Sequence, residues 1–199
     1  MTETGRLETF ADGVFAIAIT LLVLAIRLPP PDQEVWPALL GQWPEFVAYV
    51  VSFLTIGIMW VQHHRLFTVI ARSNTTFAMI NVVFLMFIAF VPFPTAVLAQ
   101  RLGSQVDALG ATLLYGGTMV AIAIMFNAIW RYASGHEGHL LKTLSLDERR
   151  AQATGYRYGV PVYVAITALA FVNPVLSVIG FGAVDLYWAL PWSGPSVPT

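Results

Sequence analysis

The chain has 199 residues, 57% of them hydrophobic and 11% charged, with no cysteine and a formal net charge of −1. Water-soluble domains carry about a quarter charged residues, so this composition and the mean hydropathy of +0.71 describe an integral membrane protein. The near-zero charge leaves no basic surface for nucleic acid. The lack of cysteine excludes disulfides, thiolate catalysis and cysteine-based zinc sites.

A spanning helix needs about 20 mostly apolar residues, and six stretches of one single-domain chain qualify. The first runs from about Leu7 to Leu28 and is stopped by Pro29-Pro30-Pro31, since proline cannot continue a helix. Asp12 interrupts it near its start, and Arg27 with the prolines makes a poor signal-peptidase site, so it reads as a retained span. Its spacing predicts two faces. Ile17, Leu21 and Leu24 share a stripe with Phe10, whereas Asp12 lies about 140° away from Ile17. A carboxylate inside a span has to be partnered or wet. Arg6, His63 and His64 are the partners predicted for Asp12, with a histidine hydrogen bond favoured over a metal site. Adjacent histidines point about 100° apart on a helix, which does not suit a shared metal ion.

The second stretch runs from about Pro44 to Ile70 and ends in Trp60-Val-Gln-His63-His64-Arg65. The third, about Thr75 to Leu98, contains Asn81 and is predicted to kink or end at Pro92 and Pro94. The fourth runs from about Val106 to Tyr132, with Gly116-Gly117 allowing close helix packing. A polar segment follows in which His136 and His139 flank Glu137; with no third ligand nearby it reads as a solvated loop. The fifth stretch, about Ala151 to Val172, is preceded by a capping-box pattern, Ser145 to Glu148. The sixth runs from about Pro174 to Leu190 behind an Asn173 cap, and forms a tight hairpin with the fifth. It carries Gly180 and Gly182 for close packing and Asp185, which is predicted to lie near a cytoplasmic end and to be wet. Residues 192–199 are predicted to be disordered.

With the N-terminus inside, Arg6, Arg65, Arg72, Arg131, Lys142, Arg149, Arg150 and Arg157 share one side, against Arg27 and Arg101 on the other. Basic residues accumulate in the cytoplasm, so both termini are predicted to be cytoplasmic. No nucleophile–base pair, phosphate loop or metal cluster emerges, which points away from an enzyme. There is no internal repeat of the kind transporters use.

The stretch Arg6-x-x-x-Phe10-Ala11-Asp12, continuing Gly-Val-Phe-Ala-Ile-Ala-Ile-Thr-Leu-Leu-Val-Leu, resembles the first helix of the bacterial and archaeal relatives of transmembrane protein 175, the lysosomal potassium channel family. The motif there is Arg-x-x-x-Phe-Ser-Asp. Trp60-x-x-His63-His64-Arg65-x-Phe67 and Asn81 followed by Phe90-Val-Pro92-Phe-Pro94-Thr also resemble it, so the likeness covers nearly the whole chain. It implies an all-α membrane protein, with six transmembrane helices per subunit and a homotetramer whose first helices line a central pore. It implies a hydrophobic constriction at Ile17, with further layers at Leu21 and Leu24. Arg6, Phe10 and Asp12 would join a buried polar network with a helix-two histidine. Ala11 departs from the family serine and removes a hydroxyl from that network.

The expectation is a passive potassium-permeable channel in a prokaryotic cell membrane. It needs no cofactor beyond the permeant K⁺, passes other monovalent cations less readily, and takes the lipid bilayer and its own copies as partners. The alternatives are a proton-coupled secondary transporter relaying through Asp12 and His63 or His64, and a membrane metalloenzyme using the histidines.

Overall fold

A computed structural model describes residues 3–102, 107–135, 140–142 and 146–189. The elements are α1 (Glu3–Leu21) closed by a 3-10 turn (Leu22–Ala25), α2 (Val35–Gly41), α3 (Trp43–Thr68), α4 (Thr75–Phe90), α5 (Pro92–Leu102), α6 (Ala108–Ser134), α7 (Leu146–Ala168) closed by a 3-10 turn (Leu169–Phe171), and α8 (Pro174–Ala189). Among the described residues the only β-pairing is an isolated bridge, Ile70 to Leu141. Four stretches are long and apolar enough to cross a membrane: Thr4–Ala25, Trp43–Thr68, Thr75–Leu102 and Ala108–Ser134. Helices satisfy every backbone group internally, as lipid requires, and the chain is a multi-pass membrane protein.

The first helix differs from its predicted bounds. It starts at Glu3, tightens to a 3-10 turn after Leu21 and is extended at Ile26 (φ −83°, ψ 118°). The prolines forbid continuation, and the Arg27 backbone N–H is already bonded to Glu45 Oε2 at 3.2 Å. The short α2 occupies what reads in sequence as a plain loop; its entry residue, Glu34, makes no capping hydrogen bond.

The predicted proline break is present. Pro92 offers no N–H to the Ile88 carbonyl, and Val91 N takes it instead at 3.2 Å. Thr95 closes the new turn, donating both its N–H (3.1 Å) and its Oγ1 (2.9 Å) to the Val91 carbonyl. At the other hairpin, Asn173 Oδ1 accepts from Val175 N at 2.8 Å, the predicted cap, and Ser177 Oγ donates to the Ile166 carbonyl at 2.8 Å. The pattern around Ser145 and the pair His136 and His139, with Glu137, fall outside the described residues, as do residues 192–199.

Two helices organise the packing. α3 touches α1, α5 and α8, while α6 touches α4, α5, α7 and α8. The core runs through Phe15, Phe77, Phe84, Tyr115, Met119, Ile122 and Phe181, all fully buried. The glycines divide by role. A Cβ on Gly116 would lie 2.4 Å from Thr167 Oγ1 and 2.6 Å from its Cγ2, and one on Gly180 would lie 3.1 Å from Ile166 Cγ2. Gly117 has nothing within 4 Å, and Gly182 meets only Val51 at 3.7 Å. Gly116→Ala should therefore cost about 1–3 kcal/mol of overpacking between α6 and α7. Gly117→Ala should leave stability unchanged or slightly raised, because alanine is the better helix former. Thermal unfolding of the two variants in detergent separates them, and equal midpoints would refute the close contact.

The first helix and its anchors

Within the chain, α1 and its 3-10 turn bury a single stripe, Ala11, Phe15, Ala18, Leu22 and Ala25, against the core. The interval of three to four residues is one helical face. Alanine at three of the five positions lets α1 approach α3 and α4 closely. Ala11, which stands where the family motif has serine, is fully enclosed in this seam.

The predicted aliphatic stripe lies on a different flank. Phe10 is 55% exposed, Ile17 62%, Leu21 42% and Leu24 75%. These side chains meet no core of their own subunit, on a helix of membrane-spanning length. Leu24 sits in the 3-10 turn rather than on the α-helix proper.

Polar bonds hold the opposite flank to α3. The Trp60 indole N–H donates to Asp12 Oδ1 at 2.8 Å. His64 Nδ1 donates to Glu8 Oε1 at 2.8 Å, the carboxylate being able only to accept. Glu8 and Asp12 are one turn apart on α1, and Trp60 and His64 are one turn apart on α3, where their rings stack at 6.1 Å. The two bonds form rungs between antiparallel helices. At the far end the Arg27 guanidinium grips Glu45, with Nε donating to Oε1 at 2.8 Å and Nη2 paired to the same oxygen. The Glu45 side chain is 2% exposed and that of Arg27 66%.

This geometry corrects the predicted partners of Asp12. Neither histidine bonds it; Trp60 does, and His64 takes Glu8. His63 points elsewhere. Its Nε2 donates to Asn81 Oδ1 on α4 at 2.9 Å, and its ring stacks on Phe84 (5.4 Å, 5°) and Phe67 (4.5 Å, 30°). The reason is the helical turn. Residues 60 and 64 share a face, while 63 is rotated about 100° from 64. Arg6 is exposed on α1, and no hydrogen bond or ion pair of it is seen among the described residues. Asp12 and Phe10 are also exposed in the single subunit, so they form no buried network within it. Among the described residues no cluster of three or more His, Cys, Asp or Glu side chains could hold a metal.

Sequence reasoning passed over Glu8, Glu45 and Thr55, and misplaced Asp185. Glu8 could have been found by pairing i, i+4 positions on antiparallel helices, since the Glu8–Asp12 spacing matches Trp60–His64. Asp185 is 1% exposed and accepts from Thr55 Oγ1, at the middle of α3 rather than at a wet end. The physical reason is that α8 packs along α3, which lays the Asp185 face of α8 on Thr55 and away from water.

Known proteins show the same architecture. Residues 6–92 match the family described as endosomal/lysosomal potassium channel TMEM175. A protein of Streptomyces collinus named as a potassium channel is 44% identical over 192 residues, covering 94% of this chain and 92% of the relative. One of Chamaesiphon minutus, also named as a potassium channel, is 42% identical over 193 residues, covering 95% of each. The crystal structure of a lysosomal potassium-selective channel TMEM175 homolog from Chamaesiphon minutus superposes with a TM-score of 0.85 at 41% identity, covering 94% of this chain and 96% of that one. Near-complete coverage in both directions, with the motif residues on α1, α3 and α4, leads to one conclusion: the chain belongs to the TMEM175 family of potassium channels.

Proposed function

We propose that this chain is one subunit of a homotetrameric, potassium-permeable channel in a prokaryotic cell membrane, and that α1 of each subunit lines the pore. The observation that carries the reading is the exposed aliphatic stripe Ile17, Leu21 and Leu24 on α1, opposite the flank bonded to Trp60 and His64. One subunit contributes one such helix, and a single helix does not enclose an axial path. Copies of the chain therefore have to bring their stripes together. Each subunit crosses six times in this reading, with α7 and α8 completing the four longer spans, and both termini face the cytoplasm where eight of the ten basic residues collect.

The mechanism follows from the side chains. The stripe offers no oxygen to replace water around an ion. Rings of Ile17, Leu21 and Leu24 gate by dewetting and favour the cation that sheds water at least cost, which ranks K⁺ ahead of Na⁺ with modest discrimination. Asp12, Glu8 and Arg27 hold α1 in place and do not meet the ion. A carrier relaying protons from Asp12 to a histidine fits less well, because the group at Asp12 is an indole that only donates.

Reversal potentials of purified protein under mixed K⁺ and Na⁺, combined with the native mass of the complex, test the reading. Unitary steps reversing nearer the K⁺ potential and a four-subunit mass are expected. Saturating flux that requires a proton gradient, or a monomeric mass, would overturn it.

A further inference from the structure

Asp185 lies inside the subunit, away from the α1 anchors. It is buried on α8, and Thr55 of α3 donates to it. One turn along the same face of α3, Ser52 Oγ lies 3.2 Å from the Tyr115 hydroxyl of α6 and 2.9 Å from Thr95 Oγ1 of α5, within hydrogen-bond reach of both. Ser52, Thr55, Thr95 and Tyr115 are all buried. Four helices thus place one carboxyl among neutral hydroxyls.

Neither of the ion pairs described, Arg27–Glu45 and His64–Glu8, involves it. The titratable groups facing Asp185 from the surrounding helices are the phenols of Tyr115 on α6 and Tyr163 on α7. α3 bonds it through the Thr55 hydroxyl, and α8 carries no Lys, Arg or His. An ion in lipid surroundings without a partner is costly, and such a residue usually marks a site of function. Nor do the described residues gather three or more metal-ligating His, Cys, Asp or Glu side chains here. The Thr55 hydroxyl bonds the carboxyl directly, and Ser52 bonds both Tyr115 and Thr95 within hydrogen-bond length.

We propose that Asp185 is a proton-binding site within the subunit, and that the bound proton holds α8 against α3. The protonated carboxyl is neutral and stays packed on Thr55 without burying an unpaired charge. On release the O–H bond breaks, the carboxylate keeps the electron pair, and the proton passes to the aqueous phase. The charge left behind strains the contact with α3. Since α3 carries Trp60, His64 and Glu45 on its α1-facing side, a shift of α3 reaches α1. The inference stands on the burial of Asp185 and the packing of α8 and holds whichever helix faces the ion.

Infrared spectra of the purified protein in liposomes, titrated with pH, test it alongside thermal unfolding. The wild type should show the carbonyl stretch of a protonated carboxylic acid at neutral pH. That band should fade as the pH becomes alkaline, with a parallel fall in the unfolding midpoint. Asp185→Asn should lose the band and the pH dependence together. Thr55→Val, which keeps the carboxyl and removes its hydroxyl donor, should retain the band at a shifted frequency, and serves if Asp185→Asn fails to fold. The proposal is overturned if no protonated carboxyl is seen at neutral pH, if the band survives in Asp185→Asn, if its frequency is unmoved in Thr55→Val, or if K⁺ abolishes it at fixed pH.

Discussion

Channels carrying Ile17→Asn are expected to leak: about tenfold more current at a given voltage, with K⁺/Na⁺ discrimination reduced towards unity. Ile17 is the stripe residue on the regular part of α1 that is most exposed, and its own subunit gives it no partner. In the proposed assembly around α1 it faces the axis. A ring of isoleucine repels water, whereas asparagine supplies a carbonyl acceptor and an amide donor from every subunit. Water then bridges the ring and carries a hydrated ion through. A tenfold gain corresponds to about 1.4 kcal/mol off the barrier, modest beside the cost of moving one amide from water into an apolar site. Ile17→Leu preserves the apolar ring and should keep wild-type discrimination. Bilayer recordings of both variants decide the matter, and unchanged current and reversal potential in Ile17→Asn would remove Ile17 from the ion path.

The second large effect concerns the Arg27–Glu45 clamp, and it is asymmetric. Glu45 is buried and Arg27 is mostly exposed. Arg27→Ala leaves a carboxylate enclosed without its cation, a change that typically costs about 3–5 kcal/mol. Glu45→Gln leaves an arginine that solvent can serve, and should cost distinctly less. Combining Arg27→Ala with Glu45→Leu removes the stranded charge and should recover part of the loss, so the two substitutions are non-additive. Thermal unfolding in detergent measures all three. An Arg27→Ala midpoint equal to wild type would show that the contact contributes nothing. Because this clamp fixes the exit of α1, the variant should also broaden the distribution of single-channel conductances.

How much of this was legible in the chain depends on the range of the interaction. The aliphatic stripe, the break at Pro92 and the Asn173 cap follow from residues within one or two turns of each other, and local rules reach that far. Periodicity gave the stripe as a face but not its exposure, which rests on the alanine seam Ala11, Ala18 and Ala25 turning the other flank to the core. Nor did local rules give the partner of Asp12. Choosing Trp60 over two histidines requires the rotation and register of α3 against α1, which no local pattern encodes. The burial of Asp185 was missed for the same reason. A distance from the end of an apolar run says little about burial when a neighbouring helix packs over the residue. Glu45 was passed over because its cation lies 18 positions earlier, beyond the prolines.

The tightened turn at Leu22–Ala25 sets the vertical rhythm of α1. From Ile17 to Leu21 four α-helical residues rise about 6 Å. From Leu21 to Leu24 three residues at the 3-10 rise also climb about 6 Å. Rotation behaves similarly: four α-helical steps advance about 40° beyond a full turn, and three 3-10 steps return almost to the same bearing. Had the α-helix continued, Leu24 would have fallen short in height and swung about 60° aside. The change of helix type makes an evenly pitched ladder out of unevenly spaced residues, so a symmetric assembly would present three aliphatic collars at regular intervals. An ion leaving one collar then has about 6 Å of dry passage before the next, roughly two water diameters. Dryness becomes a property of a length of conduit rather than of a single choke, and lengthening or shortening that turn by one residue should alter permeation without touching any side chain of the stripe.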